Sequence, residues 1–382
     1  MKRYETIPLV VTLLLVAASC RKEETIVPST PTHVADSTAS GDIKGFFLLN
    51  EGNMGSNKAT LDYFDYESKI YKKNIYAERN PYVVKELGDV GNDIGIYGSK
   101  LYAVINCSNF VEVMDAETAK HITQISIPNC RYITFHGDYA YVSSYAGPVL
   151  IDPNARLGYV AKIDTATMTV VDTCIVGYQP EEMAISEGKL YVANSGGYRV
   201  PDYDSTVSVI SLNTFKVIKT IGVAINLHRM EVDGYGQIWV SSRGDYYDVP
   251  SKTCVIDSRT DEVTDRLDLP NSGMALCGDS LYVYGAEWNY GTKKNTISYA
   301  IVDVRSHKVL TDDFITDDTK SKIEIPYGIA VNPATREIFV TDARDYVTPG
   351  KLYCLNPDGT RKWSVTTGDI PAHIVFTTRK LN

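Results

Sequence analysis

Residues 180–221 read PEEMAISEGKLYVANSGGYRVPDYDSTVSVISLNTFKVIKTI, and this stretch decides the fold. It contains four short segments, MAIS, LYVAN, TVSVISL and FKVIKTI, which are apolar or alternate between apolar and polar residues. Such alternation, with a high content of Val, Ile and Tyr, is typical of β-strands and not of helices. The stretch therefore predicts a unit of four antiparallel strands joined by short turns.

The turn SLNT at Ser211 recurs along the chain. Equivalent turns begin at Asp65, Asp115, Asp164, Asp257, Asp303 and Asn356, so that the seven turns lie 46 to 53 residues apart. Asp, Asn and Ser open such turns because their side chains accept hydrogen bonds from backbone amides two residues further on. A four-stranded unit at this period is one blade of a propeller, which cannot bury its faces alone and must stack on its neighbours.

The same register can be followed through the whole chain. The second strands of seven blades begin at Phe46, Leu101, Ala140, Leu190, Ile238, Leu281 and Ile338. The innermost strands begin at Asp93, Tyr132, Met183, Met230, Met274, Gly328 and His373. No inner strand precedes Phe46, whereas the segment HIVF from His373 remains after the seventh blade. We therefore predict an all-β, seven-bladed β-propeller of four-stranded antiparallel blades, closed by the C-terminal strand pairing into the first blade.

The N-terminus has the features of a lipoprotein signal peptide over residues 1–19. Lys2 and Arg3 precede an apolar run from Ile7 to Ala18, which is too short for a transmembrane span. The residues up to Cys20 resemble a bacterial lipobox, so we expect Cys20 to be lipidated. A plain secretory signal with an incidental cysteine is the alternative.

Residues 20–42 follow as the lipidated cysteine and a flexible tether, because they are rich in Ser, Thr and Pro and lack an apolar period. Residues 43–382 are then left for the propeller, which is one domain despite its length because repeat folds exceed the usual domain size. The membrane is expected to be contacted only through the lipid.

The net charge argues against one class of ligand, and the cysteine content raises the question of disulfides. A net charge of −9 argues against binding to nucleic acid. Six cysteines remain besides Cys20, and Cys107 and Cys130 are the best candidates for a disulfide, although the sequence leaves their pairing open. The other four are expected to be small core residues: Cys174, Cys254, Cys277 and Cys354.

The register also separates two faces of the propeller. One face carries short turns. The other, which we call the long-loop face, receives the connections at 50–58, 143–158, 194–206, 241–252, 285–295 and 342–351, and the inter-blade connections 77–92 and 311–328. Long irregular connections on a rigid scaffold usually carry function, so we place the binding site on this face.

The long-loop face is rich in Tyr, Trp and Arg, the residue types that dominate binding hot spots. The predicted ligand-binding residues are Asn53, Arg131, Tyr145, Tyr178, Tyr198, Arg229, Tyr246, Tyr247, Trp288, Tyr327, Tyr346 and His373. The same face is also expected to carry Asn50, Arg199, Tyr203, His228, Arg243, Tyr290 and Arg344. Arg131, Arg229 and His373 begin inner strands and are expected to ring the axial channel. The alternative is that a chain with 27 tyrosines places some of them on loops for packing, and that the channel residues bind carbonyls and water.

No catalytic pattern stands out in the sequence. GxSxG, HExxH and phosphate-binding glycine loops are missing, and there are only six histidines. Asp202 and Asp204 do not form a full set of Ca²⁺ ligands. We expect no catalytic residues, no metal site and no required cofactor, and hence no enzyme.

One stretch carries a family resemblance. LLNEGNMGSNKATLDYFD, from Leu48 to Asp65, lies downstream of a lipobox and is followed by repeats of the LYVAN…VSVI type. It resembles the YncE-like surface-layer propeller lipoproteins of Bacteroidetes, and within them the chain is most similar to BtuG-type cobalamin-binding proteins. Glu23 and Glu24 resemble the signal that exports such lipoproteins to the cell surface.

The resemblance implies a lipid-anchored protein of the outer membrane, exposed at the cell surface. It implies that cobalamin or a related corrinoid is captured on the long-loop face and passed to a TonB-dependent outer-membrane transporter. Two alternatives from other classes stay open. One is an accessory propeller that binds a protein or glycan, and the other is a lactonase or hydrolase with a metal or an acid–base pair at the channel mouth.

Overall fold

The structure is a computed structural model that describes residues 28–34, 41–83, 86–289 and 293–382. The described residues fold into seven antiparallel sheets. The innermost strand of each sheet contacts the innermost strands of the two neighbouring sheets, and the innermost strand of the seventh sheet contacts that of the first. The predicted all-β, seven-bladed propeller is thereby confirmed. The predicted signal peptide, Cys20 and Tyr290 lie outside the described residues.

The first blade is built from both ends of the chain. It contains β1 (Thr30–His33), β2 (Gly45–Asn50), β3 (Thr60–Asp65), β4 (Ile70–Lys73) and the C-terminal β29 (Pro371–Thr377). Blade 2 contains β5 (Gly91–Tyr97), β6 (Lys100–Ile105), β7 (Phe110–Asp115) and β8 (His121–Ser126). Blade 3 contains β9 (Cys130–His136), β10 (Tyr139–Ser144), β11 (Tyr159–Asp164) and β12 (Thr169–Ile175).

The remaining blades follow the chain in order. Blade 4 contains β13 (Pro180–Ser186), β14 (Lys189–Asn194), β15 (Thr206–Ser211) and β16 (Lys216–Gly222). Blade 5 contains β17 (Leu227–Val232), β18 (Gln237–Ser242), β19 (Lys252–Asp257) and β20 (Glu262–Leu267). Blade 6 contains β21 (Gly273–Cys277), β22 (Ser280–Asn289), β23 (Lys294–Asp303) and β24 (Lys308–Thr311). Blade 7 contains β25 (Pro326–Val331), β26 (Ile338–Asp342), β27 (Pro349–Leu355) and β28 (Arg361–Asp369).

Two short helices lie on the long inter-blade connections: α1 (Ile75–Arg79) and a 3-10 helix (Asp318–Lys322). Within the described ranges, no helix has both the length and the apolar character needed to cross a membrane.

The ring closes as predicted. β29 is the inner strand of blade 1 and pairs antiparallel with β2, with Phe46 opposite Phe376 and Leu48 opposite Ile374. Aromatic contacts join this blade to blade 7, since the rings of Phe46 and Phe339 lie 5.0 Å apart. The C-terminal strand therefore covers the inner edge of β2 and completes the packed core between the first and last blades.

A fifth strand on blade 1 was not predicted. β1 pairs antiparallel with β4 along its whole length, with Thr32 opposite Tyr71, and Val34 is buried in the core next to it. These residues fall inside the segment that was expected to be a tether. The outer edge of blade 1 is thus covered by chain that lies before residue 43.

The recurring turns have the chemistry that their sequence indicates. In the first, Asp65 Oδ1 accepts hydrogen bonds from the backbone amides of Glu67 and Ser68 at 2.7 and 3.0 Å. Asp115, Asp164, Asp257 and Asp303 accept equivalent bonds. The Asn356 turn differs, because Asp358 accepts the bond and Gly359 adopts the left-handed conformation with φ 85°.

The sequence suggested a loop over residues 285–295, but the described residues at both ends of this connection belong to strands. β22 and β23 continue as a paired hairpin as far as Asn289 and Lys294, with Trp288 opposite Asn295. The hairpin extends the two strands past the ends of the neighbouring blades because its ladder of hydrogen bonds is unbroken. Trp288 is therefore carried on a strand.

The described cysteines are all free. Cys107 and Cys130 make separate contacts, with Cys130 Sγ 3.3 Å from the Phe110 carbonyl oxygen. Cys174, Cys254, Cys277 and Cys354 are buried, as predicted.

Candidate functional site

The long connections enclose a cavity of about 1090 Å³ at the mouth of the axial channel. This volume is slightly above the range of about 300–1,000 Å³ that is typical of small-molecule sites. Ten of the twelve predicted site residues line it: Asn53, Arg131, Tyr145, Tyr198, Arg229, Tyr246, Tyr247, Trp288, Tyr327 and Tyr346. His228 and Arg243 line it as well.

The other two predicted residues, Tyr178 and His373, do not border the cavity. The guanidinium carbon of Arg199 lies 3.7 Å from the centre of the Tyr178 ring, so this tyrosine packs against the loop between β14 and β15. His373 lies on β29, the inner strand of blade 1, and its imidazole is 3.7 Å from Asp93 and 3.8 Å from Glu51. It supports the residues next to the cavity and is not part of its lining.

Irregularities at the start of the inner strands direct polar side chains towards the axis. The pairing of β13 with β14 shifts between Pro180 and Met183, and that of β17 with β18 between Leu227 and Met230. Bulges of this kind re-aim side chains and are common beside functional sites. As a result, the neighbouring residues Glu181 and Glu182 on β13 both reach arginines of other inner strands.

Charged side chains form the base of the cavity, which we call the floor: Arg131, Glu181, Arg229 and Arg243. The buried carboxylate of Glu181 holds the floor together. Its Oε2 accepts hydrogen bonds from Arg131 Nη2 at 3.1 Å and Nε at 3.3 Å. Its Oε1 accepts from Arg243 Nη1 at 3.3 Å and from the hydroxyl of Tyr145. Burial acts to raise the pKa of Glu181, but the two guanidiniums outweigh it and hold the pKa below its ordinary value. Glu181 is therefore ionised and joins three blades at the floor.

A second group lies on the axis itself. Tyr132 shares a hydrogen bond of 2.8 Å with His228 Nε2, and its ring lies 5.3 Å from the guanidinium carbon of Arg229. Arg229 Nη1 is 3.7 Å from Glu182 Oε1. Burial and the three nearby arginines hold the pKa of His228 well below its ordinary value, so its imidazole is neutral.

Glu181, Glu182 and Tyr132 were not predicted as site residues. A signal was available in the segment PEE, which places two carboxylates at the entrance of an inner strand. Carboxylates at such a buried position require cationic partners. Arg131 and Arg229 were the candidates, but the alternative of bonds to carbonyls and water was equally compatible with the sequence.

The rim of the cavity is aromatic and exposed. The exposed fraction is 41% for Trp288 and 73% for Tyr247, and Tyr246 and Tyr346 are also solvent-accessible. Tyr246 and Tyr346 each follow an aspartate that accepts backbone hydrogen bonds within its own loop, Asp245 and Asp345. Both tyrosines are in the left-handed region, with φ of 65° and 63°. The loops of blades 5 and 7 thus present a tyrosine by the same local structure.

Two acidic residues, Glu51 and Glu287, also border the cavity. Glu51 accepts a hydrogen bond from the hydroxyl of Tyr327 at 2.8 Å, and Glu287 accepts one from the backbone amide of Ser251 at 3.0 Å. In the part of the chain that the structure describes, no three His, Cys, Asp or Glu side chains are grouped to hold a metal ion. The arrangement suits recognition of a large ligand by an apolar rim and a charged floor.

Solved structures share the fold at low identity. The hydrazine synthase of Kuenenia stuttgartiensis is 15% identical, with a TM-score of 0.56 over 70% of this chain and 77% of that one. A quinonprotein alcohol dehydrogenase-like protein of Bacteroides thetaiotaomicron is 15% identical, with a TM-score of 0.58 over 88% of this chain and 78% of that one. At this identity the likeness shows the propeller fold alone.

No curated protein matches the chain significantly. The narrower resemblance to BtuG-type proteins stays a prediction. The model of one protein family matches residues 44–358, from β2 to the turn between β27 and β28, and the chain belongs to that family, described as a domain of unknown function, DUF5074.

Proposed function

We propose that this protein is a non-catalytic surface receptor that captures cobalamin or a related corrinoid in the cavity and passes it to a TonB-dependent outer-membrane transporter. The observation that carries the proposal is the combination of an exposed aromatic rim with a charged and amide-bearing floor in one cavity of about 1090 Å³. A corrinoid is a large, flat, amphipathic ligand with amides around its edge, and this combination complements both of its properties.

The rim provides the apolar contacts. Tyr246 and Tyr247 lie on a loop of blade 5 and Trp288 on the hairpin of blade 6, and all three expose broad ring surfaces to the cavity. Aromatic side chains combine large contact area with few rotatable bonds, which lowers the entropy lost on binding. They cover the apolar parts of the ring system.

Asparagines near the floor provide partners for the peripheral amides. Asn53 borders the cavity. Asn226 also borders it, and its buried Oδ1 has no hydrogen-bond partner among the residues that the structure describes. An unpaired buried acceptor costs free energy, so a ligand N–H that reaches it gains a favourable bond.

A binding role fits the state of Glu181 better than a hydrolytic one. General acid catalysis needs a carboxyl that is protonated near the working pH. Glu181 is ionised and bound by Arg131 and Arg243, so it serves to position the floor. The long-loop face acts here as a rigid recognition surface.

The position of β1 supports capture close to the membrane. Thr30 pairs with Lys73 and His33 with Ile70, so β1 starts at the long-loop end of blade 1. The backbone amide of Ser29 donates to Glu78 in α1 at the same end. With a lipid on Cys20, the segment from Cys20 to Pro28 spans at most about 30 Å. This link holds the long-loop face within reach of a transporter in the same membrane.

The decisive experiment is a titration of the purified protein with cyanocobalamin, followed by absorbance and calorimetry. We expect saturable binding by the wild type. Trp288→Ala should weaken it roughly thirty-fold or more, because truncating a hot-spot aromatic costs at least about 2 kcal/mol.

Tyr235→Ala is the matched control. Tyr235 is an exposed aromatic residue on the turn between β17 and β18, on the opposite face. Tyr66 also lies on that face but is unsuitable, because it is buried and accepts a hydrogen bond from Asn332. Wild-type affinity in the Trp288 variant would remove the rim from the site. Failure of the wild type to bind any corrinoid would favour the protein- or glycan-binding alternative.

A further inference from the structure

The floor of the cavity carries more positive charge than its ion pairs balance. Arg131, Arg229 and Arg243 all border the cavity. The carboxylates paired with them are Glu181 and Glu182, neighbours on β13. Three guanidiniums therefore share two carboxylates. Charges at such partly buried positions require partners, so one charge is left for a ligand.

Arg229 is the cation that is least satisfied by the protein. Its nearest carboxylate oxygen, Glu182 Oε1, lies 3.7 Å from Nη1, which is longer than a hydrogen bond. The other oxygen of Glu182 accepts the backbone amide of Met230 at 2.7 Å. In the described parts of the chain, the Arg229 guanidinium makes no hydrogen bond, although its side chain is only 12% exposed. Its N–H groups are available to the cavity.

The pKa values of the titratable groups next to Arg229 are consistent with a net positive charge at the floor. The pKa of His228 is held well below its ordinary value by burial and by the three arginines, so this residue adds no charge. Burial raises the pKa of Glu182, the carboxylate closest to Arg229 among the ion pairs. Asp93 and Glu231 also lie near Arg229, and burial raises their pKa values to about 7 and about 8, which weakens their negative charge. The acidic residues Glu51 and Glu287, which also border the cavity, accept hydrogen bonds from Tyr327 and from the Ser251 amide.

We infer that the floor around Arg229 is a subsite for one anionic group of the bound ligand, a phosphate ester or a carboxylate. A guanidinium binds such groups through two parallel N–H donors, which fixes orientation as well as affinity. This inference rests on the proposed function and deepens it. Cobalamin carries a phosphodiester in its nucleotide loop, whereas cobinamide has the same ring without the nucleotide.

The first test compares these two corrinoids on Arg229→Met and Arg229→Gln. Both variants remove the charge and retain a side chain of useful length. We expect cobalamin to bind at least ten-fold more weakly than to the wild type, while the affinity for cobinamide changes less than three-fold. Arg199→Met is the matched control, since Arg199 is an arginine on the same face that stacks on Tyr178 outside the cavity. Circular dichroism verifies that each variant is folded.

The second test uses no corrinoid. The melting temperatures of the wild type and the Arg229 variants are measured in inorganic phosphate, acetate and chloride at equal ionic strength. A ligand that binds the folded state raises the melting temperature. General salt effects are shared by all variants, so the increment that depends on Arg229 reports the subsite. A larger increment in phosphate indicates a phosphate ester, and one in acetate indicates a carboxylate.

The two tests separate the inference from the proposed function. If the wild type binds no corrinoid, the proposed function fails, but an anion response that depends on Arg229 still supports the subsite. The inference is overturned if the Arg229 variants change neither the anion response nor the difference between cobalamin and cobinamide.

Discussion

At the scale of single residues, the site depends on Glu181, which is only 1% exposed and yet ionised. It binds Arg131 from blade 3 and Arg243 from blade 5, while its own strand belongs to blade 4. Removing one partner of a buried ion pair leaves the others uncompensated, which is costly even where the intact pair adds little net stability. Glu181 therefore stabilises the floor against repulsion between guanidiniums.

We predict that Glu181→Gln lowers the free energy of unfolding by about 3–5 kcal/mol. Urea-induced unfolding followed by tryptophan fluorescence measures the change. Glu187→Gln is the control, because Glu187 is exposed on the turn between β13 and β14 and should change stability by less than about 0.5 kcal/mol. Equal unfolding midpoints for the two variants would contradict the role assigned to Glu181.

Two other carboxyl groups on the inner strands have raised pKa values. Burial raises the pKa of Asp93 to about 7 and that of Glu231 to about 8, and the charge of Glu182 adds to both shifts. A carboxyl with a higher pKa in the folded chain holds its proton more tightly there. Its contribution to stability is complete below its unfolded pKa of about 4 and is lost as the pH rises through the folded value.

We therefore predict that stability falls between about pH 5 and pH 9, and that Glu231→Gln reduces this fall. Melting temperatures at the two ends of the range provide the measurement, with Glu187→Gln again as the reference. The variant should gain stability relative to the wild type at the alkaline end and little at the acidic end. A fall of the same size in both proteins would show that Glu231 does not titrate in this window.

At the scale of elements, blade 1 is completed from both directions by strands far away in sequence. β29 covers the inner edge of β2, and β1 covers the outer edge of β4. An uncovered edge presents unpaired backbone groups and promotes aggregation. The close fit of blade 7 against this closure is visible at Gly328, where a Cβ would lie 1.9 Å from the carbonyl oxygen of Ala372.

We predict that removal of residues 371–382 yields an insoluble or aggregating protein, because the edge of β2 and the core beneath it are exposed. A shorter truncation, of residues 380–382, is the control. It removes buried Leu381 and the bond from the Asn382 amide to the Glu117 carbonyl, but it leaves β29 intact. That variant should stay soluble with a lower melting temperature. A soluble 371–382 deletion with an unchanged melting profile would show that β29 does not close the ring.

At the scale of the whole molecule, the ring gathers loops from distant parts of the chain around one axis. The residues that border the cavity extend along the sequence from Glu51, directly after β2, to Ile370, directly before β29. The cavity lies at the end that carries most of the long connections, whereas part of the connection between β24 and β25 reaches the turn at Asn356, where the backbone amide of Thr316 donates to the Gly359 carbonyl oxygen. β1 begins at the end with the cavity, since Thr30 lies opposite Lys73.

We predict that Cys20→Ser releases the protein from the membrane, because Cys20 is the expected lipid attachment site. Fractionation of cells measures the release, and protease added to intact cells should digest the wild type from outside. A variant at Lys22, such as Lys22→Ala, serves as the control and should stay anchored. Full protection of the wild type in intact cells would contradict display on the cell surface.

Much of the fold could be predicted from the sequence because it depends on neighbours along the chain. Alternation within each strand decides which side chains face the adjoining blades. The aspartates that begin the turns, such as Asp65 and Asp115, accept hydrogen bonds from amides two or three residues away. The leftover segment from His373 had one open strand edge to pair with, so the closure followed from counting strands.

The candidate site was only partly predictable. Aromatic and arginine residues on long connections indicated the face that carries the cavity, and ten of the twelve predicted residues line it. Tyr178 and Tyr198 belong to neighbouring connections and look alike in the sequence. Only the three-dimensional path of the chain turns Tyr198 towards the axis and packs Tyr178 against Arg199.

By itself, the sequence determined the blades, their number, the closing strand and the face that carries the long loops. The tertiary structure alone decided that Arg131, Glu181 and Arg243 meet at one floor, and that β1 pairs with β4. These contacts join residues that are far apart along the chain. Their partners are chosen by burial and by bulges at the strand entrances, neither of which leaves a local pattern.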